Sequence, residues 1–306
     1  MKILVATEKP FAPVAVEGIR EVVEGAGHEL ALLEKYSSRE ALLGAAAEAD
    51  AMIVRSDKVG ADVFDAAPNL KIVVRAGAGY DNVDLEAATA HGMCVENTPG
   101  QNSNAVAELA FGMMLMAARN AFDGTSGTEL KGKTIGIHAF GQVGRNVARI
   151  ASGFGMEVSG YHPRRPDSVL EEAGVKPVHS VDELYANNKY VSIHVPANAE
   201  TRGMIGYDLV MKMPKGGVLV NTARKEVIDE PGLMKALEER QDLKYVSDIK
   251  PDCADEMKEK FGSRVFFTPK KMGAQTAEAN INAGIAAARQ IVSFFADGDE
   301  TFRVNR

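Results

Sequence analysis

Two cysteines, Cys94 and Cys253, are all that the 306 residues contain. That excludes a disulfide framework and a cysteine-rich metal centre. Positive charge is also scarce: 35 Lys and Arg stand against 42 Asp and Glu, giving a net charge of -7 and a pI near 5.5. Nucleic acid therefore has no electrostatic support as a partner, and acidity of this size serves solubility. Long apolar runs are missing as well. The longest, Leu109 to Ala118, falls far short of the roughly 20 residues that cross a bilayer. The N-terminal MKILVAT reads as a strand behind one lysine, too short for the apolar region of a signal peptide. No low-complexity segment or charge run interrupts the chain, and these absences together read as a cytoplasmic protein.

What is present is an ordinary globular balance, 45% hydrophobic and 25% charged, in a chain long enough for two cores. Short β-branched runs (ILVA, ALLE, MIVR, IVVRAG, CVEN) alternate with stretches of helical spacing such as VAVEGIREVVEGAG. The alternation returns with KTIGIHAFG, MEVSGYHP, VKPVHS, YVSIHVP, GGVLVNTA, YVSDI and VFFTP. Strands and helices in this order imply βαβ units on parallel sheets, hence an α/β chain of two doubly wound, Rossmann-like domains. Two long helices stand outside the alternation: NSNAVAELAFGMMLMAARNAFDG, after a polar Asn-Ser-Asn start, and QTAEANINAGIAAARQIVSFFADG, closing at Gly298. Met113, Met114 and Met116 in the first are core packing. Only ETFRVNR follows the second, too little for another domain. The expected division is a substrate domain of residues 1–98 and 285–306 with a dinucleotide domain, 99–284, inserted in it.

KGKTIGIHAFGQVGRNVARIASGFG reads as strand, glycine turn and helix. Such a turn lets backbone N–H groups approach a pyrophosphate at the positive end of the helix. The usual GxGxxG reads here Ala139-Phe140-Gly141-Gln142-Val143-Gly144, with alanine in first place, so a merely structural turn is the competing reading. The acidic residue that would hold the adenosine ribose of NAD, some 18 residues beyond Gly144, is replaced by His162, followed by Pro163, Arg164 and Arg165. Two guanidiniums there suit a 2'-phosphate as well as they suit solvent. NAD and NADP both stay open.

Seven segments in one order make a specific pattern: VRSDKV (54–59), VVRAGAGYDNVD (73–84), NTPGQNSNAVAELAFG (97–112), GQVGRN (141–146), HVPANAETRGMIG (194–206), GGVLVNTARKEVIDE (216–230) and TPKKMGAQTAEA (268–279). On these the chain resembles the D-isomer-specific 2-hydroxyacid dehydrogenases over nearly its whole length, and within them the phosphoglycerate enzymes. The resemblance implies hydride transfer between NAD and the α-carbon of a small phosphorylated D-2-hydroxy acid. It implies a homodimer built through the cofactor domain. Arg224 matches the family's catalytic arginine, whose planar fork suits a carboxylate. Ala76 and Gly77 match the loop that holds that carboxylate. Arg55 and Ser56 match the phosphate contacts, and Asn102 another substrate contact. Phe140, Gly141, Gln142, Val143, Gly144, His162, Val195, Pro196, Thr201, Thr222, Ala223, Asp248, Gly273 and Ala274 match cofactor positions, Asp248 that of the nicotinamide carboxamide. An end at residue 306 leads us to expect no appended regulatory domain of the kind longer phosphoglycerate enzymes carry.

One block departs from the pattern. The family's acid–base histidine should follow Thr268-Pro269, yet no histidine occurs after His194. Its glutamate partner is gone too; DIKPDCADE offers Cys253, with Asp252 and Asp255 nearby. Either catalysis is lost and the chain is an NAD-binding sensor, or a lysine does the histidine's work. Lysine starts near ~10.4 and has to come down to accept a proton, whereas a neighbouring carboxylate would push it up. Losing the glutamate while gaining lysine is therefore retuning. Counting back from Gly273-Ala274 selects Lys271; counting forward from Thr268-Pro269 selects Lys270. The helix start TAEA anchors the backward count, so Lys271 is preferred. A glyoxylate or hydroxypyruvate reductase is the second enzymatic reading.

Overall fold

The computed structural model describes residues 1–305. The chain divides into two compact units, Met1–Asn102 with Gln275–Arg306, and Ser103–Ala274. The second crossing falls at 274/275 rather than 284/285, because the last long helix belongs whole to the first unit.

In the first unit, β1 (Lys2–Thr7), α1 (Pro13–Gly25), β2 (Glu29–Glu34), α2 (Arg39–Ala46), β3 (Ala51–Val54), α3 (Ala61–Ala66), β4 (Ile72–Arg75), α4 (Leu85–Ala90) and β5 (Cys94–Asn97) form a five-stranded parallel sheet of order β2-β1-β3-β4-β5. β3 is buried at every residue, which is why MIV reads as a continuous apolar run and not as an alternation. The helix Ala277–Asp297 packs on α1 against one sheet face, burying Ala283, Ala287, Ala288 and Ile291 with Ile3, Val5 and Ile19. Thr276 caps its start by accepting from Ala279 N–H at 3.1 Å, and Gly298 ends it at φ 69°. The order reverses between β1 and β3, and Lys9 and Arg55 follow the carboxyl ends of these two strands.

The second unit runs α5 (Ser103–Ala118), β6 (Thr134–His138), α6 (Gln142–Gly153), β7 (Glu157–Tyr161), α7 (Ser168–Glu171), β8 (Lys176–Pro177), α8 (Val181–Asn187), β9 (Tyr190–Ile193), α9 (Tyr207–Lys212), β10 (Val218–Asn221), α10 (Glu230–Glu239), β11 (Lys244–Ser247), α11 (Ala254–Phe261) and β12 (Val265–Phe267); the helix Ala277–Asp297 then becomes α12. Its seven parallel strands are ordered β12-β11-β10-β9-β6-β7-β8, with the reversal between β6 and β9. VKPVHS contributes only the two-residue edge strand β8, since proline cannot donate to a ladder. The helix expected over NSNAV…FDG stops at Ala118. Lys244 Nζ donates to Ala117 O at 2.6 Å and the returning chain places Thr128 N–H on Ala118 O at 2.8 Å, taking the last carbonyls. Asn120, Ala121 and Phe122 then follow with left-handed φ of 48°, 54° and 60°. Among the described residues no helix is long and apolar enough to cross a membrane.

Candidate active site and dinucleotide turn

The glycine turn lies at the carboxyl end of β6, at the reversal of strand order, where dinucleotides bind in sheets of this type. Ala139 holds φ 80°, a left-handed conformation normally left to glycine, fixed by its N–H on Tyr161 O at 3.0 Å. The backbone shape of the missing first glycine is thus kept, at a strain of about 1 kcal/mol. A Cβ on Gly144 would come 2.5 Å from Ala139 O, so glycine is required there for helix and turn to pack. A Cβ on Gly141 would meet nothing, leaving its approach open. No side chain caps α6 at Gly141 and no acidic residue occupies its first turn, so the N–H groups around Gln142 and Val143 meet no competing anion. The Phe140 ring is fully buried, so only its backbone serves the turn.

After β9 come Val195, buried, and Pro196, exposed; Thr201 folds back to donate its hydroxyl to Pro196 O at 2.5 Å. After β7 comes His162, half-buried, whose ordinary pKa is lowered by burial and by Arg165 beside it. After β10, Asn221 pre-sets the turn: its Nδ2 donates to Arg224 O at 3.0 Å and its Oδ1 accepts from Ala223 N–H at 2.9 Å. Thr222 Oγ1 is buried in this turn with no hydrogen-bond partner. An orphaned hydroxyl, an open glycine and an uncapped helix start are the features a bound dinucleotide would complete, and NAD fits them. Among the described residues no group of His, Cys, Asp and Glu could hold a metal ion.

Asp248 ends β11 and is 1% exposed. Its Oδ1 accepts from Thr268 Oγ1 and Met272 N–H, both at 2.9 Å, and its Oδ2 from Gly273 N–H at 2.8 Å. The carboxylate therefore clamps the loop that carries Lys270 and Lys271. A Cβ on Gly273 would lie 3.0 Å from Oδ2, which is what glycine permits there; Ala274 follows, half-buried. Both lysines are exposed. At the place of the absent glutamate, Cys253 precedes α11, its N–H on Glu230 Oε2 at 3.0 Å. Burial and the Glu230 carboxylate push its thiol up to about 12. Asp252 pairs with Lys225 at 2.6 Å and Asp255 with Lys250 at 3.2 Å.

In the first unit, Arg55 leaves β3 half-buried, its pKa lowered by that burial. Its Nη1 donates to Lys9 O at 2.8 Å and Pro10 O at 3.1 Å, and its Nη2 to Asn280 Oδ1 at 2.5 Å, while the guanidinium lies 5.1 Å over Phe11. Ser56 beside it is exposed; Asp57, buried, accepts from Glu8 N–H at 2.7 Å and Tyr36 Oη at 2.8 Å. The sequence reading missed Arg75. It ends β4 opposite Val54, donates Nε to Arg55 O at 2.9 Å, and its Nη1 lies 1.5 Å from where a Gly77 Cβ would stand. The guanidinium is thus folded over Gly77, beside buried Ala76, which puts a second cation next to Arg55. Only the pairing of β3 with β4 brings the two together, and no local motif carries that signal. Asn102, half-buried, closes this unit's first segment.

Comparison with known proteins agrees with this geometry. Residues 107–267 match the family model described as D-isomer specific 2-hydroxyacid dehydrogenase, NAD binding domain. The chain is 38% identical over 269 residues to the D-3-phosphoglycerate dehydrogenase of Methanocaldococcus jannaschii, covering 83% of this chain and 51% of that one. It is 37% identical over 282 residues to the hydroxypyruvate reductase of Thermotoga maritima, covering 86% and 90% respectively. A crystal structure of NAD+-bound 3-phosphoglycerate dehydrogenase from Entamoeba histolytica superposes with a TM-score of 0.88 at 47% identity, covering 100% of this chain and 99% of the other. The chain spans about half the length of several curated relatives that it matches, 51% and 57% for two archaeal ones. The chain belongs to the D-isomer specific 2-hydroxyacid dehydrogenase family, and its second unit carries that family's NAD binding domain.

Proposed function

We propose that the chain oxidises 3-phospho-D-glycerate to 3-phosphohydroxypyruvate, with NAD as oxidant and a lysine as acid–base group. The observation that carries the phosphorylated substrate is Arg55. Three of its five N–H donors are spent on Lys9, Pro10 and Asn280, which fixes the guanidinium and leaves the others for a ligand. A fixed fork with Ser56 and Arg75 beside it suits a phosphate oxygen better than an uncharged hydroxymethyl group. Gly77 N–H and Arg224 would hold the substrate carboxylate, with Asn102 as a further contact. NAD, when bound, supplies the hydride acceptor. Lys271, as the neutral amine, would take the hydroxyl proton, and Arg224 would stabilise the oxygen as it becomes a carbonyl. The curated relatives bearing the phosphoglycerate name favour this reading.

Hydroxypyruvate reduction is the second reading, favoured by the Thermotoga maritima relative, of which 90% is spanned. A homodimer through the second unit is the expected assembly. The test is reduction of NAD at its absorbance band with 3-phosphoglycerate, and the reverse reaction with phosphorylated and unphosphorylated hydroxypyruvate. Arg55→Ala should raise KM for the phosphorylated acid at least tenfold and leave the unphosphorylated one within about twofold. Equal effects on both would remove the phosphate from the reading. No turnover with any 2-hydroxy or 2-keto acid would leave an NAD-binding protein without this chemistry.

A further inference from the structure

The acidic residue that a dinucleotide turn uses against the adenosine ribose is absent after β7, and a carboxylate arrives there from a different loop. His162 Nδ1 accepts the Arg164 backbone N–H at 3.1 Å, so a neutral ring carries its proton on Nε2. The positive charge facing that ring comes from Arg164 and Arg165 on the same loop and from Arg145 on α6, whose guanidinium lies 5.5 Å over the Phe140 ring of the glycine turn. Three guanidiniums whose charge reaches the His162 ring would make a site that captures a 2'-phosphate. Glu200 opposes them. It stands on the loop after β9, and its Oε2 is 3.3 Å from Arg164 Nη2. Its backbone is held firmly: Asn198 Oδ1 accepts from Glu200 N–H at 2.9 Å and from Thr201 N–H at 3.0 Å.

We propose that Glu200 is the residue that sets NAD over NADP in this chain, by occupying Arg164 and placing a negative charge beside the guanidiniums that a 2'-phosphate would recruit. The role of the family's acidic residue is moved from the end of β7 to the loop beyond β9. The proposal rests on reading the β6–α6 turn as the dinucleotide site. Both partners are about three-quarters exposed, so the pair adds little to stability and its variants fold.

The test is direct binding, read from the fluorescence of the reduced nicotinamide; the chain has no tryptophan to add background. Wild type should bind NADH more tightly than NADPH. Removing one charge at this range, screened by salt, should tighten NADPH about fivefold in Glu200→Gln and leave NADH within about twofold. Adding Arg164→Ala to Glu200→Gln should remove the gain. A Glu200→Gln that moves neither cofactor, or moves both equally, overturns the proposal, as does a wild type that binds the two alike. Failure of NADH itself to bind would bring down the site reading and the proposal with it, a distinct result.

Discussion

Replacing Asp248 by alanine should loosen the lysine loop far more than a surface change would. The side chain is 1% exposed and accepts three hydrogen bonds, from Thr268 Oγ1, Met272 N–H and Gly273 N–H, at 2.8 to 2.9 Å. Hydrogen bonds to an ionised acceptor contribute about 1.5–3 kcal/mol each, and the buried Gly273 N–H would be left without an acceptor. Water entering from the exposed Met272 side recovers part of this. We expect a net loss of about 3–4 kcal/mol, which lowers Tm by about 6–16 °C for a unit of this size. Asp248→Asn keeps the volume and one oxygen but turns an amide donor towards an N–H, and should lose about half as much. Thermal unfolding followed by circular dichroism gives the stability. Trypsin gives the location, because the loop offers Lys270 and Lys271 as cleavage points and an unclamped loop is cut faster. A loss below about 1 kcal/mol in Asp248→Ala, with unchanged cleavage there, would refute the clamp.

Lys271→Ala should lower kcat with 3-phosphoglycerate at least a hundredfold and Lys270→Ala less than tenfold; the opposite order would transfer the acid–base role to Lys270. Thr222→Val removes a buried hydroxyl without a partner, so it should raise unfolding stability by up to about 1 kcal/mol while weakening NADH binding several-fold. A destabilised Thr222→Val would show that the hydroxyl is bonded within the fold. Burial pushes His138 down to about 4, so it folds neutral; the stability this provides is present above its unfolded pKa of about 6.5 and is lost as pH falls. From pH 7 to pH 5 that loss is about 2 kcal/mol, to which His194, pushed down to about 3, adds, and urea unfolding at the two pH values should show His138→Gln flattening the slope.

The architecture was legible because strands buried on both faces read as short β-branched runs and helices as a 3.6-residue period. Strand order was not, and it decides which side chains meet. Arg55 could be recognised in VRSDKV, yet its acceptors lie at Lys9, Pro10 and Asn280, the last 225 residues away. Arg75 sits in plain view in VVRAG, but only the alignment of Val54 with Arg75 makes it a neighbour of Arg55. The dinucleotide turn survived a motif fault for a backbone reason: Ala139 takes the left-handed φ of 80° that the pattern assigns to glycine. The end of α5 escaped the reading because Lys244, distant in sequence, takes the carbonyl of Ala117.

The lysine block is where sequence and structure inform each other most. A chain that trades an acid–base histidine for lysine has to keep carboxylates away from the amine, since each one nearby holds the proton on. Besides Asp248, the segment where the glutamate is missing holds Asp252, Asp255 and Glu256, with Glu230 beside it, and each has a partner of its own, Glu256 pairing with Lys260 at 3.0 Å. Glu230 accepts the N–H groups of Asp252 and Cys253, both at 3.0 Å, and so anchors the start of α11. Asp252 is drawn to Lys225 and Asp255 to Lys250. Asp248, which is bonded to the lysine loop, spends its carboxylate oxygens on Thr268 Oγ1 and on the backbone N–H groups of Met272 and Gly273. An acid used in this way orders the loop through its backbone.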